Sequence, residues 1–128
     1  MHLISLRGAT TADANTVEAI DQAACELMET LILQNELQES QVVHVLFSAT
    51  ADLTARYPSV VLRERLHWRE TAILNVEEKV IQGQLPLCIR VLMTLQSERP
   101  KESFRHAYLK GAAALRPDWH SRQDDQRR

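Results

Sequence analysis

"CIRVLMTLQ", residues 88–96, has Cys88, Ile89, Val91, Leu92, Met93 and Leu95 as apolar positions, the mark of a strand from the middle of a sheet. Arg90 sits among them. Its guanidinium stays ionised at any ordinary pH, and taking a lone charge out of water costs several kcal/mol even after relaxation. An anion must therefore face Arg90, or the strand is less buried than its composition implies. Alternation puts Arg90 on one face with Cys88, Leu92 and Thr94, opposite Ile89, Val91, Met93 and Leu95. Two readings stay open at this point: a ligand anion, or a structural pair with Glu78 or another carboxylate of the chain.

Working outward, "HLISLRGAT" opens the chain as a short strand ending near Arg7-Gly8. Asn15 with Glu18 three residues on forms a capping-box pattern. Val17, Ile20, Ala24, Leu27, Met28 and Leu31 then recur at helical spacing, predicting a helix to about Asn35. "VVHVLFS" (42–48) is nearly continuous in its apolar character, which predicts a strand buried on both faces. Pro58 suits the first turn of a short helix carrying Val60, Val61, Leu62 and Leu66. "TAIL" (71–74) reads as a strand, and "NVEEKVIQGQLP" as a loop with Gly83 and Pro86 as breakers. After the strand at 88–96, Pro100 opens a helical turn, "RHAYL" returns as a short strand and "GAAALRPDW" leads out. The tail "HSRQDDQRR" is polar throughout and reads as loose in the free protein.

This order predicts an α+β fold: one mixed β-sheet, one long helix, and short helices on the same face. A single long helix leaves the other face of such a sheet bare. Another subunit is expected to shield it, so the chain should be an oligomer.

At 128 residues the chain has room for one core and not two. Its 45% hydrophobic and 25% charged content is that of a globular protein, and with only 5% aromatics, aliphatic side chains must fill the core. A formal net charge of −2 argues against non-specific attraction to nucleic acid, so any anion binding must come from a local arginine cluster. No apolar stretch approaches the roughly 20 residues that span a bilayer, and the N-terminus has no basic-then-apolar signal pattern. Cys25 and Cys88 form no CxxC pair and fall in apolar patterns. A cytoplasmic protein with no membrane partner is expected.

The usual catalytic signatures do not occur. Three glycines leave no Gly-rich phosphate loop. Five histidines show neither HxxxH nor HExxH spacing, so no metal is expected, and His44 reads as a core histidine. There is no GxSxG elbow. Any enzyme here works without a cofactor and without a nucleophile. What remains is Arg7, Arg63, Arg90 and Arg116 in or beside apolar segments, with Tyr57, Glu78 and Tyr108. Taken singly, most have ordinary roles: surface charge for Arg7 and Arg116, a solvated helix face for Arg63, a core ring for Tyr108, loop charge for Glu78.

Together these segments resemble one family. "RGAT" at 7–10, "SAT.DL" at 48–53, "CIRV.MT.Q" at 88–96, "RH.YL" at 105–109 and "LRPD" at 115–118 look like the AroH-type chorismate mutases, in order along the chain from Leu3 to Asp118. The resemblance implies a small α+β unit, ferredoxin-like in layout, spanning 1–118 as one domain, with 119–128 as a tail. It implies a homotrimer forming a pseudo-α/β barrel with active sites between subunits. The reaction it implies is the intramolecular Claisen rearrangement of chorismate to prephenate, which exchanges no atoms with the enzyme and accords with the absence of nucleophile, metal and cofactor motifs. Arg90 would lie beside the ether oxygen as negative charge grows there. Glu78 would accept a hydrogen bond from the ring hydroxyl and help orient Arg90. Arg7 and Tyr108 would hold a carboxylate, Tyr57 would pack on substrate from the neighbouring subunit, Arg63 and Arg116 would supply positive potential at the mouth, and Leu115 would be a further substrate-binding residue.

Leu74 and Asn75 depart from the family, which often has a small polar residue followed by cysteine there. Asn75 can still bond the substrate hydroxyl, while Leu74 can contribute only packing or backbone. The alternative function is a non-catalytic trimeric module that binds a small dicarboxylate with the same arginines. A purely structural domain, with Arg90 paired internally, is the third reading.

Overall fold

The computed structural model describes residues 1–116. The elements follow the order β1 (His2–Thr11), α1 (Val17–Asn35), β2 (Val42–Ala49), α2 (Val60–Glu64), β3 (Ala72–Glu77), β4 (Cys88–Ser97) and β5 (Ala107–Tyr108). Short 3-10 turns fill Glu39–Gln41, Lys101–Ser103 and Lys110–Leu115. The predicted α+β class is the observed one. The five strands form a single mixed sheet in the order β3-β2-β4-β1-β5. β4 runs antiparallel to both neighbours, whereas β2–β3 and β1–β5 are parallel.

The core lies between the sheet and α1. Ile20, Leu27, Met28 and Leu31 of the helix are fully buried with Leu6, Phe47, Ile89, Met93 and Leu95 of the strands. Ile89, Val91, Met93 and Leu95 thus face the helix, as alternation predicted. Gly8 lies under α1, close against Leu27 and Leu31. A Cβ there would sit 3.0 Å from Leu27 Cδ1 and 3.1 Å from the Ala107 carbonyl oxygen.

Several local expectations are corrected. The N-cap of α1 is Thr16, whose hydroxyl accepts from Ala19 N at 3.1 Å. Asn15 turns instead to the 54–55 loop: its Oδ1 accepts from Thr54 N at 2.9 Å and Ala55 N at 3.0 Å. Both residue types cap helices well, and this loop contact decides between them. β2 is not buried on both faces within the chain. Val45 and Phe47 are buried, while Val43 and His44 are exposed. β3 starts at Ala72 and runs to Glu77, taking in the Asn75-Val76-Glu77 stretch expected to be loop. It is an edge strand, so polar side chains there keep access to water. "GAAAL" does not simply lead out but turns as a 3-10 helix. The tail expected at 119–128 lies outside the described residues.

Candidate active site

The sheet has one face under α1 and one turned away from it, and strand register sorts the candidate residues between the two. One row across the sheet reads Tyr108, Ala9, Arg90, Ser48 and Val76. The next reads Arg7, Leu92, Leu46 and Leu74. Arg7, Arg90, Tyr108 and Leu74 therefore share the face away from α1. Asn75 does not. It stands in the row of Phe47, Val91 and Gly8, which faces the helices.

Arg90 and Glu78 come together. Arg90 Nε lies 3.1 Å from Glu78 Oε1, with the side chains 34% and 21% exposed. The distance is that of contact, but Nε–H is not directed at the oxygen. Arg90 Nε and Glu78 Oε2 are both buried atoms without a hydrogen-bond partner. Such orphaned groups are costly unless a ligand completes them. A carboxylate of the chain thus faces Arg90, and the pair is left incomplete.

Glu78 follows β3 and is fixed by its own backbone, Glu78 N donating to Ala49 O at 2.9 Å. Residues 79–87 then fold back toward β4, and Leu85 packs on a small cluster of Ala9, Tyr108 and Ala112. Tyr108 is almost fully buried there. β5 is tied to the rest by the buried Asn35 amide, which takes Arg105 N at 2.7 Å and gives to Arg105 O at 2.9 Å. Next to it, His106 Nδ1 accepts from Arg7 N at 2.9 Å. This hydrogen-bonded ladder sets where Arg7 and Tyr108 sit relative to Arg90.

The other candidates gather elsewhere. Tyr57, 67% exposed, and Asn75 line an open cleft of about 450 Å³ with Phe47, Leu53, Pro58 and Val76. The segment before Tyr57 is held by Asn15 and by Arg56, whose Nη1 lies 2.9 Å from Asp21 Oδ2. The Asn75 Oδ1 is buried and unpartnered. Arg63 is exposed on α2. Leu74, at 61%, and Leu115, at 38%, are exposed apolar side chains, and Arg116 closes the described chain. A larger cleft of about 800 Å³ beside α1 carries Glu18, Glu26 and Glu29, and its Arg56 and Arg65 are turned to Asp21.

Neither cysteine is poised as a nucleophile. Burial, then the neighbouring Glu29, pushes the Cys25 thiol up to about 11. Burial also raises Cys88, against the lowering effect of Arg90. Both thiols stay protonated near neutrality. Among the described residues no three His, Cys, Asp or Glu side chains converge as metal ligands, and no helix is long and apolar enough to cross a membrane. Sequence reasoning missed Thr50 and Asp52, which lie in the "SAT.DL" stretch and bond the start of β4. The motif itself was the available signal.

Comparison with known proteins agrees with this geometry. The family model of chorismate mutase type I matches residues 3–119. Chorismate mutase AroH of Bacillus subtilis (strain 168) is 39% identical over 118 residues, covering 92% of this chain and 93% of that protein. Chorismate mutase AroH of Thermus thermophilus is 36% identical over 119 residues, covering 92% and 97%. A solved chorismate mutase from Clostridium thermocellum superposes with a TM-score of 0.83 at 33% identity, covering 87% of this chain and 98% of that one.

Proposed function

The chain belongs to the chorismate mutase type I family, and we propose that Arg90 and Glu78 are the catalytic residues with which it rearranges chorismate to prephenate. The enzyme is an isomerase of aromatic amino-acid biosynthesis. Its substrate is a dicarboxylate that must be held in a compact, chair-like conformer, a problem of proximity and orientation. As the ether C–O bond lengthens and the new C–C bond forms, negative charge grows on the ether oxygen. A cation fixed beside that oxygen in a dry site stabilises the transition state more than the bound substrate.

The observation that carries this assignment is the incomplete pair. Arg90 Nε, in ion-pair contact with Glu78 Oε1, and the neighbouring Glu78 Oε2 are both buried without a hydrogen bond. The free Nε–H suits a developing oxyanion, and the free carboxylate oxygen suits a ring hydroxyl. Arg7 and Tyr108, on the same face, would hold a carboxylate, with Leu115 and Arg116 at the rim.

Tyr57, Arg63, Leu74 and Asn75 complete the site from a second copy of the chain. Supporting this, Tyr57 and Asn75 line a cleft apart from Arg90, and Leu3, Leu74 and Val76 are exposed on the sheet face opposite α1. A homotrimer closing this face as a barrel is the proposed assembly. Residues 1–118 are the catalytic domain and 119–128 an appended tail. We assign the enzyme to the cytoplasm, where the unpaired Cys25 and Cys88 stay reduced.

The test follows chorismate consumption with the product identified by NMR. Arg90→Ala should lower kcat by roughly 10²–10³-fold or more, as for loss of a preorganised oxyanion donor. Arg90→Lys should not restore it, since a point charge replaces a planar fork. Wild-type rates in Arg90→Ala would end the assignment, as would a monomer with full activity for the shared site.

A further inference from the structure

Arg90 and Glu78 are separated in sequence by a segment with little to hold it. Lys79, Val80, Ile81, Gln82 and Gly83 are all exposed. Even so, its two ends, beside Glu78 and Arg90, are gripped by the end of β2 and the turn after it, residues 49–52. The Ala49 carbonyl takes Glu78 N at 2.9 Å. At the other end, Asp52 Oδ2 accepts from Leu87 N at 3.0 Å and Thr50 Oγ1 accepts from Cys88 N at 2.9 Å. Thr50 in turn donates its hydroxyl to Asp52 Oδ1 at 2.5 Å, and Thr50 N donates to Cys88 O at 3.0 Å.

This grip meets a local strain. Leu87 has φ of 50°, the left-handed region that costs a non-glycine residue about 1–2 kcal/mol. Its amide and carbonyl are both bonded, the latter to Ala12 N at 2.8 Å. The Thr50 proton points to Asp52, which leaves the Thr50 lone pairs free for Cys88 N–H, so the direction of each bond depends on the carboxylate. Asp52 Oδ2 thus holds Leu87 directly and Oδ1 reaches Cys88 only through the Thr50 hydroxyl, three and two positions before Arg90. Asp52 is exposed, and among the described residues no hydrogen bond or ion pair joins it to Arg90 or Glu78.

We infer that Asp52 is a positioning residue for the reaction: directly through Leu87 and through the Thr50 hydroxyl, it fixes the entry into β4 and so the placement of Arg90 against Glu78. The inference rests on the reading of Arg90 and Glu78 as the catalytic residues.

The experiment is a double-mutant cycle on the purified enzyme with chorismate, with thermal unfolding recorded alongside. Asp52→Ala should lower kcat by roughly 10- to 100-fold, the scale of an ångström of misplacement. Asp52→Asn should recover most of this, because its amide oxygen can take Leu87 N–H while its NH₂ donates to Thr50 Oγ1. In an Arg90→Ala background, Asp52→Ala should change kcat by less than about twofold, since it acts through the group already removed. Unchanged kcat in Asp52→Ala overturns the inference, and so does the same loss in both backgrounds, which marks general destabilisation. If Asp52→Ala fails to fold, Thr50→Val removes the hydroxyl bridge at nearly constant shape and is read in the same cycle with the same two outcomes. Should Arg90→Ala itself keep the wild-type rate, the catalytic reading fails. An impaired Arg90→Ala beside an unaffected Asp52→Ala fails the positioning role alone.

Discussion

Replacing Gly8 by alanine adds one methyl group between α1 and the sheet. That methyl would meet Leu27 Cδ1 at 3.0 Å, the Ala107 carbonyl oxygen at 3.1 Å and Leu31 Cδ1 at 3.2 Å. Carbon atoms in good contact lie about 3.5–4.0 Å apart, so all three neighbours must give way. The leucines are fully buried and have little room to change rotamer. Ala107 belongs to a two-residue strand paired with Gly8 and Ala9, so its carbonyl can move only by shifting β5 and Tyr108 with it. Overpacking of this kind costs about 1–3 kcal/mol. At about 4 °C per kcal/mol for a domain of this size, Tm should fall by about 4–12 °C. Thermal unfolding at fixed protein concentration measures it. Leu27→Ala removes the nearest obstructing atom, so the Gly8→Ala/Leu27→Ala double variant should lose less than the sum of the singles, by about 1 kcal/mol. An unchanged Tm in Gly8→Ala, or strict additivity with Leu27→Ala, would refute the packing argument.

Acid should remove two specific staples. Burial raises the Glu39 carboxyl, but hydrogen bonds from the Glu70 amide, the Thr71 hydroxyl and the Arg69 and Thr71 amides outweigh it and leave it below its ordinary value. The Thr50 hydroxyl, working against burial and joined by Leu87 N–H, lowers Asp52 likewise. The unfolded chain therefore takes up protons first as pH falls. The stabilisation is full above about pH 5 and is lost as pH drops through the depressed folded values. Urea midpoints against pH should fall less steeply below about pH 5 in Glu39→Gln and Asp52→Asn than in wild type; equal slopes would sink the account. At the end of α1, Glu36 holds φ 52° and ψ 52°. Glycine there escapes the left-handed penalty but loses more unfolded-state freedom, so Glu36→Gly should gain about 0.5–1 kcal/mol. A lowered Tm in that variant would contradict the assigned cap.

Period alone was enough to place α1 and to set the two faces of β4, because each has a long apolar repeat packed against the other. It was enough, too, to single out Arg90, a charge on the half-open face of an otherwise buried strand. It misjudged β2, where a continuous apolar run was read as burial on both sides; within one chain Leu46 and its neighbours face no helix. It cut β3 short because Asn75 and Glu77 are polar, although an edge strand tolerates them. The cap of α1 could not be told from residue type, with Asn15 and Thr16 both suitable, until the 54–55 loop claimed Asn15. Asp52 was missed for a different reason. Its motif pointed to the stretch, but its partner at 87 is a backbone amide, which leaves no trace in a sequence. Register also separated Asn75 from Arg90, onto opposite faces of one sheet, a division no local pattern carries.

Gripping residues 78–87 at both ends separates the chemistry of that segment from its length. The tip is closed on itself by Gln84 N donating to Ile81 O at 3.0 Å, and a side chain added at Gly83 would meet open space. Lengthening a flexible loop is cheap, with each doubling costing about 0.6 kcal/mol. The tip near Gln82-Gly83 is therefore where natural variants can gain or lose residues, and where an engineer can graft a tag or a sensor peptide, without disturbing the anchors beneath.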